Sequence, residues 1–192
     1  LGLMSGTSLD GIDAAVIETD GETISEFGPW LTAGYDDELR ERLRTSLGQA
    51  APGGIDALIH DLTIAHGDAG RQLLSQGNLS NDDIDIIGFH GHTIDHRPDN
   101  GVTRQIGDGA LLAESTGIDV VCDFRSADVA AGGQGAPFAS LFHQALCAGT
   151  ETPICVLNIG GISNVTWIGG GGEPPRGEGP SAGDPILRLS IR

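Results

Sequence analysis

The sequence predicts an α/β protein built on a mixed sheet with flanking helices. Three observations carry that expectation. The chain opens on two apolar runs joined by a polar turn, at 1–5 and 12–17. Two short apolar runs, 84–89 and 118–124, each pass into polar residues ahead of a helix, the arrangement by which α/β proteins place ligands at strand carboxyl ends. A second strand-turn-strand at 153–168 repeats the opening theme with glycines and a serine in its turn.

The first turn, Ser-Gly-Thr-Ser-Leu-Asp-Gly-Ile-Asp at 5–13, is chemically loaded. Gly6 and Gly11 let a backbone approach a ligand, Thr7 and Ser8 offer hydroxyls and N–H groups, and Asp10 and Asp13 offer carboxylates able to hold a hydrated Mg²⁺. An ordinary Asp-Gly hairpin reads the same way, and the stretch alone leaves both open. Residues 22–30 alternate weakly, as a third antiparallel strand ending near Tyr35. Asp36 and Asp37 supply the cap and first-turn charge of a helix whose Leu39, Leu43 and Leu47 recur every four residues, stopped by Gly48. After Pro52-Gly53-Gly54, the spacing of Ile55, Leu58, Ile59, Leu62, Ala65, Ala69 and Leu73 predicts a long helix over 55–76. His60 and His66 ride on it without partners at ligand spacing and read as structural or solvent-facing.

Ile84, Ile86, Ile87 and Phe89 form a strand apolar on both faces, ending at His90-Gly91-His92-Thr93. A turn follows at 97–101, and Gly107-Asp108 opens a helix that runs to Gly117. Residues 118–124 form the next buried strand, ending in Asp123, Arg125, Ser126 and Asp128. The glycine-rich loop 130–137 leads to a helix over 138–148. The hairpin 153–168 turns through Gly160-Gly161-Ile162-Ser163-Asn164, residues 169–183 read as a Gly/Pro-rich flexible loop, and 185–191 as a last strand.

The 192 residues carry 27 acidic and 10 basic side chains, a net charge of −17, and every basic residue is Arg. That balance, with few aromatics, lacks the basic footprint and stacking platforms of a nucleic-acid binder. Cys122, Cys147 and Cys155 lie far apart among apolar neighbours and read as buried free thiols of a reducing compartment. No apolar run is long enough to cross a bilayer and the chain begins directly in a strand, so the expectation is a cytoplasmic protein with no membrane partner. His90, His92 and His96, with Asp95 and Asp99, are the densest metal-type cluster, and His90 and His92 at i, i+2 would share a strand face. A zinc hydrolase can begin so, but no third ligand sits at fixed spacing.

Several motifs in one order resemble the anhydro-N-acetylmuramic acid kinases, of the superfamily of actin, hexokinase and the heat-shock chaperone ATPases. They are Met-Ser-Gly-Thr-Ser-Leu-Asp-Gly-Ile-Asp at 4–13, Gly-Phe-His-Gly-His-Thr at 88–93, His-Arg-Pro at 96–98, Gln-Ile-Gly-Asp at 105–108, Asp-Phe-Arg-Ser-Ala-Asp at 123–128, Gly-Gly-Gln-Gly-Ala-Pro at 132–137 and Asn-Ile-Gly-Gly-Ile-Ser-Asn at 158–164. The resemblance implies a ribonuclease H-like, actin-like ATPase lobe with a mixed five-stranded sheet over 1–150, and the start of a second lobe over 151–192. It implies a cytoplasmic enzyme of cell-wall recycling, using ATP and Mg²⁺, that opens the 1,6-anhydro ring of anhydro-N-acetylmuramic acid with water and moves the γ-phosphoryl to O6. A non-catalytic nucleotide- or sugar-binding module of the same superfamily is the alternative.

By the same resemblance Asp128 is the general base, its other reading being a helix cap. Residues Gly6, Thr7, Ser8, Leu9, Asp10, Gly11, Ile12 and Asp13, with Gly160, Gly161 and Ser163, would cradle the ATP phosphates, Asp10 holding Mg²⁺ through water. His90, Gly91, Thr93, Arg97, Arg125, Gly133 and Gln134 would contact the sugar, a guanidinium matching its lactyl carboxylate. The chain departs from the family pattern at His92, usually Gln, at Gly109, usually Pro, and from Arg188 on. Family members run further, with a second lobe bearing the adenosine site and a homodimer surface, so this chain by itself is expected to be inactive.

Overall fold

The computed structural model describes residues 1–49, 54–159, 163–169 and 186–191. The turn of the second hairpin at 160–162 and most of the 169–183 loop lie outside the described residues. The chain packs as two compact units, one of residues 1–18 and 26–135, the other of 19–25 and 136–192.

In the first unit, β1 (Gly2–Ser5), β2 (Ile12–Thr19), β3 (Ile24–Ala33), β4 (Ile87–Arg97), β5 (Val102–Ile106) and β6 (Val120–Cys122) form one mixed sheet. The order is β3-β2-β1-β4-β5, with β6 also on β4. β1 runs antiparallel to β2 and parallel to β4, and β4 runs parallel to β6. This is the mixed α/β arrangement expected of an actin-like ATPase lobe, with six strands rather than five. The added strand is β5. The apolar run at 84–89 does not stop at His90; β4 continues to Arg97, turns through Pro98–Asn100, and pairs antiparallel with β5. Glycine and histidine mimic a loop in the sequence, yet the ladder continues because β5 satisfies the backbone groups from His92 to Arg97.

Helices α1 (Asp37–Ser46), α2 (Ile55–Gln76) and α3 (Gly109–Thr116) follow the expected boundaries. The Asp36 carboxylate accepts from the Leu39 N–H at 2.7 Å, and Asp108 caps α3 by accepting from Ala110 and Leu111. Leu39, Leu43, Leu58 and Leu62 pack against Leu9, Ile12, Tyr35, Ile94 and Ile106 in one core cluster. Leu73, Leu112 and Ile118 join Leu3, Ala14, Ile87 and Phe89 in a second. Leu3, Ser5, Ile12 and Ala14 are therefore buried while Met4, Asp13 and Ala15 are exposed, the period-two alternation of a sheet covered on one face. His66 is fully buried in α2 and His60 is exposed.

Three expectations of burial are corrected. β6 ends at Cys122, because Asp123 adopts a left-handed backbone with φ 58°, and Val121 and Cys122 are exposed on this edge strand. Cys155 is exposed as well, and Cys147 is half-buried; all three thiols are free. Ile86 lies just ahead of β4 and is exposed, so the run 84–89 is not apolar-buried on both sides.

In the second unit, β7 (Ile154–Asn158), β8 (Ser163–Ile168) and β9 (Ile186–Ile191) make an antiparallel sheet in that order. α4 (Ser126–Ala130) closes the first unit, and α5 (Ala139–Leu146), shorter than the expected 138–148, belongs to the second. The α5 residues His143 and Ser140 hydrogen-bond the buried Thr166 of β8. Leu141, Phe142 and Leu146 of α5 and Leu157 and Ile159 at β7 are exposed. No helix of the described residues is long and apolar enough to cross a membrane.

Leu62 is 0% exposed at the α1–α2–sheet junction. Leu62→Ala is expected to lower the stability of the chain by about 3 kcal/mol in equilibrium urea unfolding. A loss under about 1 kcal/mol would show that α2 does not seal this face.

Candidate functional site

Because β1, β4 and β6 are mutually parallel, their carboxyl ends lie on one edge of the sheet. That edge therefore receives the loop 6–11 after β1, the His90-Gly91-His92 segment of β4, and the Asp123–Asp128 segment after β6. A cleft of about 310 Å³ opens there, with His90, Gly91, Gln105, Cys122, Asp123 and Ser126 among its walls. Of the resemblance-derived residues it takes His90 and Gly91; Thr103, Gln105, Asp123 and Ser126 were given no role. The missed signal was the strand alternation of Thr103 and Gln105, visible only once 102–106 is read as a strand.

The loop 6–11 is a built turn. Leu9 N–H donates to the Gly6 carbonyl at 3.1 Å, and Leu9 itself takes φ 60° with its side chain buried in the core. Thr7, Ser8 and Asp10 are exposed. The Ser8 hydroxyl donates to Asp10 Oδ1 at 2.8 Å and the Gly11 N–H to the same oxygen at 3.2 Å. The Ser8 hydrogen bond, above all, holds the Asp10 carboxyl below its ordinary range. A Cβ at Gly11 would stand 2.5 Å from the Ala33 carbonyl oxygen, so only glycine lets β3 pass here. Asp13 accepts from the Thr32 hydroxyl at 2.6 Å and so ties β2 to β3.

His90 and His92 do not share a strand face. Opposite β1, Leu3 pairs with Phe89 and Met4 with Gly91, so His90 is the extra residue of a bulge. Gly91 carries it with φ 68°, and a Cβ there would collide with the Ile106 carbonyl. His90 Nδ1 lies 3.1 Å from the Gly91 carbonyl, which can only accept, so Nδ1 bears the proton. Its Nε2 then accepts from Arg125, and burial, with Arg125 second, lowers its pKa. His92 is fully buried, with Nδ1 3.0 Å from the Ser5 hydroxyl and Nε2 without a partner. His96 bonds the Thr103 hydroxyl at 3.0 Å. Among the described residues, no three His, Cys, Asp or Glu side chains are grouped to hold a metal.

Asp128 is exposed and sits in the first turn of α4, whose cap position is Arg125, so it is not the helix cap. Its Oδ2 accepts from the Gly135 N–H at 2.6 Å, and its carbonyl accepts from Gly133 N–H at 2.8 Å. A Cβ at Gly133 would strike the carboxylate. Arg125 donates to the Gly135 carbonyl at 3.0 Å as well as to His90. Arg97 is paired bidentately with Asp95, at 2.9 and 2.6 Å, beyond the middle of β4. Thr93 accepts from Gln105 at 3.1 Å, and Gln134 reaches toward Asp99 at 3.5 Å. Gly160 and Gly161 lie outside the described residues, and Ser163 begins β8.

The family model of anhydro-N-acetylmuramic acid kinase matches residues 1–181. The chain is similar to an anhydro-N-acetylmuramic acid kinase of Paramagnetospirillum magneticum, 53% identical over 173 residues, covering 90% of this chain and 48% of that protein. It is 49% identical over 180 residues to one of Nitrobacter winogradskyi, with 88% and 49% covered. With one of Rhodospirillum rubrum it shares 50% over 179 residues, with 91% and 47% covered. The chain spans about half the length of these curated relatives.

Burial lowers the pKa of His66 to about 4, and burial, then His90, lowers that of His92 to about 4. Both are neutral when folded, so the unfolded chain binds more protons below its ordinary histidine pKa. Stability is thus full above pH ~6.5 and falls as pH drops toward ~4, by as much as about 3 kcal/mol for each histidine. Urea midpoints measured across that interval are expected to fall accordingly, and His92→Gln to flatten the decline. A midpoint independent of pH would contradict the neutral burial of both rings.

Proposed function

The chain belongs to the anhydro-N-acetylmuramic acid kinase family, and on that footing we propose that it provides the catalytic base and the first phosphate loop of an ATP-dependent sugar kinase. The observation that supports this most is topological: loop 6–11 follows β1 and the segment leading to Asp128 follows β6, and both strands run parallel to β4 at the level of its His90-Gly91 bulge. The substrate is a 1,6-anhydro-N-acetylmuramic acid. Water adds to C1 and gives up its proton to Asp128, the C1–O6 bond breaks, and O6 takes the γ-phosphoryl group of ATP, yielding N-acetylmuramic acid 6-phosphate and ADP.

Asp128 suits the first step because it is exposed and has one oxygen fixed by Gly135, which leaves the other to orient a water. The Gly6–Gly11 turn suits the second, since its exposed hydroxyls surround a backbone fixed by Leu9. Mg²⁺ supplies charge neutralisation on the phosphates. Asp10, an ionised and exposed carboxylate beside the Ser8 hydroxyl, fits a hydrated ion of that kind. The lobe division at 150/151, with the adenosine site in the remaining length of the relatives, and a cytoplasmic place in cell-wall recycling belong to the same proposal.

The test is a chimaera in which residues 1–181 replace the matching segment of the Paramagnetospirillum magneticum relative, assayed for ADP release with the anhydro sugar. Asp128→Asn is expected to lower kcat by about 10²–10⁴ while ATP affinity stays within about twofold. Unaltered turnover would remove Asp128 as the base.

A further inference from the structure

We propose that His90 and Arg125 are positioning residues for the Asp128 carboxylate, acting through the peptide groups of Gly135. This rests on the reading of Asp128 as the base. Residue 135 is held from both of its polar atoms: its carbonyl accepts from Arg125 Nη1 at 3.0 Å, and its N–H donates to Asp128 Oδ2 at 2.6 Å. It is buried, takes φ 63°, and a Cβ there would stand 2.7 Å from Val129 Cγ2, so the loop has one place to go. Gly133, whose N–H returns to the Asp128 carbonyl at 2.8 Å, closes the same ring of bonds.

Arg125 is fixed in turn from the far side. Its Nε and Nη2 donate to one atom, His90 Nε2, at 3.0 and 2.9 Å. That atom is an acceptor only because Nδ1–H is committed to the Gly91 carbonyl at the β4 bulge. A continuous set of hydrogen bonds thus joins the bulge of the central strand to the carboxylate: Gly91, His90, Arg125, Gly135, Asp128. The Nε–Nη2 edge of the guanidinium and one N–H of Nη1 are committed to this set. The interaction is directional, so replacing His90 with a group that has no acceptor releases Arg125, and with it the Gly135 carbonyl.

The 192-residue chain itself serves for the test, by NMR. His90→Leu and Arg125→Lys are expected to raise the exchange rate of the Gly135 amide by about tenfold and to shift the Asp128 carboxyl carbon. His90→Gln, whose side-chain carbonyl restores an acceptor, is expected to return both to within about twofold of the parent. Unchanged Gly135 exchange in both His90→Leu and Arg125→Lys overturns the proposal. Should His90→Leu not fold, Arg125→Lys alone decides, since it keeps the charge and loses the fork. An Asp128→Asn chimaera that turns over normally would refute the base while Gly135 release in these variants still upheld the clamp, so the two failures are distinct.

Discussion

The bulge of β4 at Gly91 is the constraint on which the site depends. The strand pairs parallel with β6 up to Phe89 and with β1 up to His92, and from His92 on it is also one arm of a hairpin with β5. One extra residue in a ladder bends the strand and re-aims a side chain. Here that residue is His90, which meets Arg125 at the N-cap of α4, whereas His92 goes into the core against Ser5. The backbone that permits this is left-handed and pressed against the Ile106 carbonyl, so the bulge is fixed by packing from β5 as much as by Gly91 itself. A single irregular position thereby divides a histidine-rich motif into one site-facing ring and one structural ring.

The same economy of backbone appears in the glycine-rich segment after α4. Gly133 and Gly135 are there for opposite reasons. At 133 the glycine leaves room for a carboxylate, and at 135 it supplies a left-handed backbone whose two polar atoms are both used. Between them Gln134 remains exposed. An acidic chain with few cations keeps Arg125 at this point, partly buried and lowered in pKa by that burial, beside His90.

Much of this was legible in the sequence. Capping residues and glycine stops fixed the limits of α1, α2 and α3, since their chemistry is local: Asp36, Asp108 and Gly117 each satisfy helix-end groups within a few residues. The motifs located the loop 6–11 and the segment 123–135. What was not legible was set by distant partners. β5 reads as polar loop because Thr103, Arg104 and Gln105 have no apolar face, and only its pairing with β4 makes it a strand. The i, i+2 rule for His90 and His92 failed because a bulge cancels strand period. Cys122 and Cys155 look like core residues by their neighbours, but both stand on exposed strand faces. The resemblance matches Arg125 and Arg97 to the sugar's lactyl carboxylate, and the structure shows what each holds inside the protein.

Leu9 has a further consequence. Its side chain is fixed in the core while its backbone occupies a left-handed turn, and the exposed groups of Thr7, Ser8 and Asp10 stand directly on either side of it. Any swing of those groups would have to draw a leucine out of a packed interior. For the phosphate role proposed above, such a loop would be preorganised: an anion would meet donors already held in place, with little conformational entropy left to be lost on association.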